Sequence, residues 1–212
     1  YVFRYVFQDF GMMGTFMTVF NFTAIVGVMF GPLWNRLWKE SKKACAAAYI
    51  THIIFQTAIL LTFSPDRLGL FLILFGCSSF FMGMLETWVL PNFAAAADYG
   101  AWKAGARMDS LVMACYNLCM TACHLLTTLV ATMFLNSFNY TEWLKAYKEG
   151  TVGITPDVIK GLSGMFTTGP LVLALLALAA FLFIYNMNDD RLRAVQKDLA
   201  EGKTAATSDL KM

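Results

Sequence analysis

The chain has 212 residues, of which 58% are hydrophobic and 14% are charged. A soluble domain is about half apolar and about a quarter charged, so this balance excludes an ordinary soluble fold. The net charge of +2 and the lack of a large lysine or arginine cluster exclude a nucleic-acid partner. Long uncharged runs alternate with short charged segments. This pattern predicts an integral membrane protein, which has the lipid bilayer as a partner.

Five runs are long and apolar enough to cross a bilayer, which takes about 20 helical residues. In chain order they lie near residues 11–31, 44–64, 68–97, 109–136 and 158–187. Together they predict an all-α membrane bundle over residues 1–188, followed by a tail of residues 189–212. The third run is about 45 Å long at about 1.5 Å per residue, so we expect it to tilt or to kink at Pro91.

Loop charge predicts the orientation of these spans. Eleven of the sixteen lysines and arginines lie in segments 36–43, 98–109 and 189–212, and five lie on the opposite side. Because basic residues collect on the cytoplasmic side, we expect the C-terminus in the cytoplasm, in a plasma membrane or a bacterial inner membrane. The chain begins at Tyr1 without a signal sequence, so a fragment, a processed product and part of a longer protein all stay open.

The longest connection on the opposite side, residues 138–153, is polar and aromatic. It leads to Thr155-Pro156-Asp157, which has a capping threonine, a proline at the first helical position and an acid in the first turn. We therefore expect the last span to begin near Pro156 and to bend at Gly169-Pro170.

The segment between the third and fourth spans has the sequence AAAADYGAWKAGARMDS. Fixed charges beside a flexible glycine suit a gate, because they can exchange salt bridges when two helix bundles rock. Basic residues at a cytoplasmic helix end are also what topology alone requires. We refer to residues 98–107 as the gate motif. Its candidate gate residues are Asp98, Tyr99, Gly100, Lys103 and Arg107.

The spacing Asp98-Tyr99-Gly100-x-Trp102-Lys103-x-Gly105-x-Arg107 resembles the loop after the tenth helix of the glycoside–pentoside–hexuronide cation symporters. These are the melibiose-carrier-like members of the major facilitator superfamily. The connection GPLWNRLWKESKK and the end FLFIYNMNDDRLRAVQKDLA are also similar to that family. The resemblance implies that the five spans are helices eight to twelve and that a missing N-terminal helix bundle is their partner.

The resemblance further implies cation-coupled symport of a small polar solute, such as a sugar or a glycoside, by alternating access. The coupling ion is expected to be a proton or a sodium ion, and no cofactor is expected. Three positions depart from the family pattern: Ala95 and Ala101 replace acids, and Thr121 replaces a lysine of the eleventh helix. Two alternatives therefore stay open. One is a non-transporting homologue that serves as a membrane scaffold or interaction subunit, and the other is a related carrier for amphiphiles or amino acids.

The fourth span carries a polar stripe whose members recur every three, four or seven residues and therefore share one helix face. Its members are Ser110, Asn117, Thr121, His124 and Thr128. Such a stripe either lines a cavity or forms hydrogen bonds between helices. Because it includes an imidazole, we favour a cavity wall.

The third span carries Glu86, and a carboxylate inside a membrane is costly unless it faces a cavity or a partner. Glu86 and His124 lie at similar heights along their helices, so a proton-linked pair is geometrically feasible. A neutral Glu86 bonded to a neighbouring backbone or hydroxyl group is the alternative. Trp88 and Asn92 offer a stacking face and an amide to a sugar-like solute. At helical spacing, however, Trp88 and Glu86 cannot point into one cavity.

Cys115, Cys119 and Cys123 recur every four residues beside His124. This pattern favours small-residue packing over a metal site, because ligands spread along one helix cannot converge on one ion. His52 is interpreted as a packed and hydrogen-bonded histidine. No P-loop, Gly-x-Ser-x-Gly or His-Glu-x-x-His motif occurs, so we expect neither a metal site nor an enzyme.

Overall fold

The computed structural model describes residues 2–7, 9, 11–153, 155–185 and 189–208, and the regular structure of these residues is helical. In chain order the helices are α1 (Val2–Tyr5), α2 (Met12–Trp38), α3 (Ser41–Thr62), a 3-10 turn (Pro65–Arg67), α4 (Leu68–Glu86), α5 (Val89–Ala104), α6 (Asp109–Ser137), α7 (Tyr140–Lys148), α8 (Pro156–Ile184) and α9 (Asp189–Ala200). Residues 186–187 of the predicted last span and residues 209–212 of the predicted tail lie outside the described residues.

Five helical units of the described chain are long and apolar enough to cross a membrane. They are α2, α3, α4 together with α5, α6, and α8. The predicted all-α membrane fold with five spans is therefore confirmed. The tail forms the short helix α9, which lies at the same end of the bundle as segments 36–43 and 98–109. We call this end the basic end.

The third span is interrupted at Thr87 and Trp88, between α4 and α5. Pro91 explains this position, because a proline ring crowds the carbonyl four residues earlier, which is that of Thr87. The backbone turns more tightly here than in an α-helix, since Thr87 N donates to Met84 O at 3.1 Å and Trp88 N donates to Leu85 O at 3.2 Å. The distortion expected at Pro91 thus falls one turn before the proline.

Glycines bring α2 and α4 into backbone contact. A Cβ added at Gly27 would lie 2.0 Å from the carbonyl oxygen of Phe80, and one added at Gly83 would lie 2.1 Å from that of Ala24. Gly27 and Gly31 have the four-residue spacing of small residues that is typical of close helix pairs in membranes. Since lipid tails are as apolar as the side chains, this close fit is what favours the pair over separate helices.

A buried polar cluster joins α3 to α4. The Nδ1 atom of His52 lies 3.0 Å from both the carbonyl oxygen and the hydroxyl oxygen of Ser78. Gln56 Nε2 donates to the same hydroxyl at 3.1 Å. His52, the most exposed of the three residues, is only 7% exposed. The interpretation of His52 as a packed and hydrogen-bonded histidine is therefore confirmed.

At the end of the bundle opposite the tail, the connection over residues 138–153 contains helix α7. Trp143 of this helix packs edge-on against Tyr5, with ring centroids 5.2 Å apart. Helix α8 then starts after Thr155, as predicted, although the Thr155 side chain makes no capping hydrogen bond. The helix continues through Pro170 to its end at Ile184 without interruption.

Helix α6 differs from the other spans because none of its residues is buried. It contacts α5, α7 and α8 along limited regions and leaves the rest of its surface open. The polar stripe predicted on the fourth span lies on this helix, so the fold keeps the stripe accessible.

Candidate functional site

The tail helix covers the gate motif at the basic end. Gln196 Nε2 donates a hydrogen bond of 2.8 Å to Asp98 Oδ2. The indole Nε1 of Trp102 donates to Asp198 Oδ2 at 3.1 Å, and the backbone N of Ala205 donates to the Trp102 carbonyl at 2.9 Å. Asp98 is therefore held by an amide of the tail in this conformation.

Apolar contacts accompany these hydrogen bonds. Trp102 is 4% exposed and Val195, on the inner face of α9, is fully buried. Sequence reasoning identified a tail over residues 189–212 but did not identify Gln196 or Asp198 as partners of the gate motif. The helical periodicity of residues 189–200 does predict that Val195 lies on an apolar face of the tail helix. Periodicity alone does not show which surface of the bundle that face covers.

The remaining gate residues lie on the last turns of α5 and in the connection after it. Lys103 Nζ lies 6.0 Å from the ring centroid of Tyr99, at the outer limit of a cation–π contact. Gly100 is half-buried, and Arg107 is exposed. Gly105 ends α5 with φ at 70°, a left-handed conformation that favours glycine. The sequence spacing of the motif thus corresponds to a helix end with its glycine cap.

Trp88 and Asn92 lie where α5 meets α3 and the end of α8. The hydroxyl of Tyr185 donates to Asn92 Oδ1 at 3.1 Å, and Lys42 Nζ donates to the Tyr185 carbonyl at 2.6 Å. Cys45 also lines this region, and the space among the side chains does not admit a water molecule. In this conformation Trp88 and Asn92 serve as contacts between helices. Sequence reasoning missed Lys42 and Tyr185, which join the start of α3 to the end of α8.

Glu86 lies at the last position of α4, directly before the interruption of the third span. It is exposed, and within the described chain it has no hydrogen bond or ion pair. Trp88 is 6% exposed, so the two side chains have the different environments that their spacing predicts. Among the described residues no ion pair joins Glu86 to His124 in this conformation.

The polar stripe of α6 is exposed along its length. Thr121 and Thr128 donate their hydroxyls to carbonyl oxygens of their own helix, at 2.9 Å and 3.0 Å. These hydroxyls need no neighbouring helix. By contrast, the amide of Asn117 and the imidazole of His124 have no hydrogen-bond partner among the described residues. These two side chains are therefore available to bind a solute.

Among the described residues, no three histidine, cysteine or acidic side chains come together in a way that could hold a metal ion. Cys115, Cys119 and Cys123 are all exposed on α6, whereas Cys45 is buried. The three exposed cysteines therefore keep much of their surface open in the described chain, and the small-residue packing favoured from the sequence stays a prediction.

Comparison with known protein families identifies the family of the chain. Residues 1–189 match the family described as MFS/sugar transport protein, which is the glycoside–pentoside–hexuronide family. No curated protein and no solved structure matches the chain. The matched region covers the five spans and ends where α9 begins.

Proposed function

The chain belongs to the MFS/sugar transport protein family, a family of membrane transporters, and we propose that it forms helices eight to twelve of a cation-coupled carrier. Its solute is a small polar molecule of the sugar or glycoside class, and a proton or a sodium ion moves with it. The bundle works by alternating access, in which it rocks against an N-terminal bundle around a cavity near the membrane midplane.

The observation that carries this proposal is the open polar face of α6. Asn117 and His124 project unpartnered polar groups from a helix of membrane-spanning length. Polar groups facing lipid are costly, and they usually face the interior of a bundle or a water-filled cavity. A cavity between two bundles satisfies both side chains, since the amide and the imidazole can bind water or solute hydroxyls.

The contacts at the basic end support a gating role for residues 98–107. The hydrogen bonds of Asp98 with Gln196 and of Trp102 with Asp198 join α5 to the tail. Rocking of the bundle changes the surroundings of the α5 end, so these contacts are expected to break or to form during the cycle. The exposed Lys103 and Arg107 provide positive charges that can pair with acids of the opposing bundle.

Uptake by the intact protein in liposomes tests the proposal. Labelled mono- and disaccharides are offered with a proton gradient, with a sodium gradient or with neither. We expect one gradient to accelerate uptake, and we expect His124→Ala to reduce the uptake rate by at least about tenfold, because a lost ligand contact of about 1.4 kcal/mol has that effect. Leu126→Ala, on the opposite face of the same helix, is the matched control and should transport normally. Equal uptake by the His124 and Leu126 variants would contradict the cavity assignment.

Glu86→Gln tests the proton site separately. If Glu86 carries the coupled proton, the variant loses acceleration by the proton gradient but keeps exchange of solute across the membrane. Unchanged proton-coupled uptake by the variant would show that the carboxylate has no role in coupling.

A membrane scaffold or interaction subunit is the second candidate, and Ala95 favours it. The family resemblance leads us to expect an acid at this position, but Ala95 is 4% exposed and is packed among other residues, so an acid would not fit without rearrangement. Absence of uptake by a folded wild-type protein, with every gradient and solute offered, would favour this candidate.

A further inference from the structure

A polar cavity of about 440 Å³ lies at the basic end, between the end of α2, the start of α3 and the tail helix. Its volume is within the range of small-molecule sites, roughly 300–1,000 Å³. The side chains that matter for its chemistry are Asn35, Arg36, Lys39, Asp189, Leu192 and Arg193. None of these six belongs to the gate motif or to the polar stripe of α6, but Gln196, which also lines the cavity, donates to Asp98 of the gate motif.

The lining of this cavity is positively charged. Arg36 from α2, Lys39 directly after α2 and Arg193 from α9 supply three cations, and none of the three forms an ion pair within the described part of the chain. The lining carboxylate, Asp189, is occupied by the backbone N of Ser41, which donates to its Oδ2 at 3.0 Å. Unpaired cations that converge on one space attract an anion, and the two guanidinium groups match the geometry of a phosphate.

Two further features mark the lining of the cavity. Asn35 Oδ1 is buried and has no hydrogen-bond partner among the described residues, which is costly. Lys39 ends α2 with φ at 58°, a left-handed conformation that costs a lysine about 1–2 kcal/mol.

The neighbourhood of the cavity favours a membrane lipid over a free phosphate. Leu33 and Leu37 are 54% and 69% exposed on the same end of α2, and Trp38 is exposed beside Lys39. Exposed leucines at a helix end contact acyl chains, and tryptophan collects at the level of the lipid headgroups. Basic pockets between membrane helices are also where anionic headgroups bind.

We propose that this cavity binds the phosphate headgroup of an anionic phospholipid. Its phosphate contacts Arg36 on α2, Lys39 directly after α2 and Arg193 on α9. Because the phosphate joins cations of two helices, the lipid holds the tail helix on the bundle. The same tail helix bonds to Asp98 and Trp102, so the bound lipid also stabilises these contacts between the tail and the gate motif.

The test uses the intact protein in nanodiscs of phosphatidylcholine, with or without phosphatidylglycerol. Native mass spectrometry measures the anionic lipid that the protein retains, and hydrogen exchange measures protection of residues 189–200. We expect wild type to retain phosphatidylglycerol and to exchange more slowly in α9 when this lipid is present. The double variant Arg36→Gln with Arg193→Gln should bind the lipid at least about tenfold more weakly, since it loses two charge-assisted contacts.

Two matched variants make the outcome specific. Lys43→Gln removes one positive charge from the same segment, but Lys43 points to solvent, pairs with Glu40 at 2.7 Å and does not line the cavity. It should therefore retain lipid like wild type. Lys39→Asn removes a cavity charge and keeps a residue that tolerates the left-handed conformation, so it tests the site even if the double variant does not fold.

Three results would overturn the proposal. The first is equal retention of lipid by wild type and by both cavity variants. The second is an equal loss with Lys43→Gln, which would indicate diffuse attraction to a charged surface. The third comes from soluble glycerol phosphate added to phosphatidylcholine nanodiscs: protection of α9 by this probe, without retention of phosphatidylglycerol, would identify a site for a soluble anion.

Discussion

The α2–α4 pair and helix α6 differ in how their surfaces are used: the pair is closely packed, whereas α6 is open along its length. In the pair, glycines bring the backbones together, and Gly27 lies directly against the Phe80 carbonyl. In α6 no residue is buried, and the threonines bond to their own helix. Helix α2, α4 together with α5, and α6 are all apolar and long enough to span a membrane, so hydrophobicity does not distinguish the pair from α6.

Different residue types produce the close packing of α2 with α4 and the open polar surface of α6. Glycine and small side chains produce attraction between helices in lipid because they allow dense contact. Asn117 and His124 add polar groups that no helix of the described chain satisfies. The packed contact between α2 and α4 therefore stabilises the fold, whereas the open polar surface of α6 is suited to ligand contact.

The largest effect is expected where the backbones touch. Gly27→Ala adds a Cβ that would lie 2.0 Å from a backbone oxygen, so α2 and α4 must separate. We expect a loss of about 3 kcal/mol of stability, the upper range for overpacking, measured as a lower melting temperature of the protein in detergent. Gly14→Ala on the same helix is the control, because nothing lies within 4 Å of its added Cβ. Equal melting of the two variants would contradict the close contact.

The two histidines give the next test of the comparison. His52→Ala removes the buried hydrogen bonds between His52 and Ser78. The Ser78 hydroxyl, to which Gln56 donates, then loses one of its two partners. We expect a loss of about 1 kcal/mol, in line with hydrogen bonds between membrane helices. Thermal unfolding in detergent measures the loss. Ser78→Ala should cost a similar amount, and the double variant should cost less than the two single losses added together, because both remove the same contact.

A smaller effect is expected at the tail. Trp102→Phe removes the indole N–H that donates to Asp198 and keeps an aromatic ring in the buried position. We expect α9 to be destabilised on the bundle by about 0.5–1.5 kcal/mol, the contribution of one hydrogen bond. Faster hydrogen exchange in residues 189–200, with unchanged exchange in α3, would report this loss. Unchanged exchange in α9 would show that the indole N–H does not hold the tail.

The smallest effect on stability is expected on α6. His124→Ala removes an exposed side chain that has no partner among the described residues, so the melting temperature should match that of wild type. The uptake rate, by contrast, should fall as proposed above. If His124→Ala melted at a lower temperature than His52→Ala, the assignment of packing to His52 and of ligand contact to His124 would be reversed.

The elements of the fold were largely predictable from the sequence. Uncharged runs of bilayer length identify the five spans, and Thr155-Pro156-Asp157 marks the start of α8. The interruption before Pro91 was placed only approximately, because the proline acts on the carbonyl of Thr87 and not at its own position. The helix α7 was missed, since its aromatic residues do not form a long apolar run.

The candidate site was predictable in part. The polar stripe was predicted from its helical spacing, and the gate motif was predicted from its resemblance to a known family; the roles of both stay predictions. The partners of the gate motif were not identified, since Gln196 and Asp98 are separated by 98 positions and neither residue type is distinctive. The cavity at the basic end was also not visible, because its cations come from α2 and α9.

The sequence by itself determines that this protein is a membrane bundle with five spans and that it belongs to a sugar-transporter family. Hydrophobic length and local spacing carry this information, because the bilayer acts on each helix separately. Only the tertiary structure decides which helices touch, which histidine is buried and where the tail lies. These outcomes depend on how the surfaces of two helices fit together. The sequence of one segment describes only its own surface and not that of its partner.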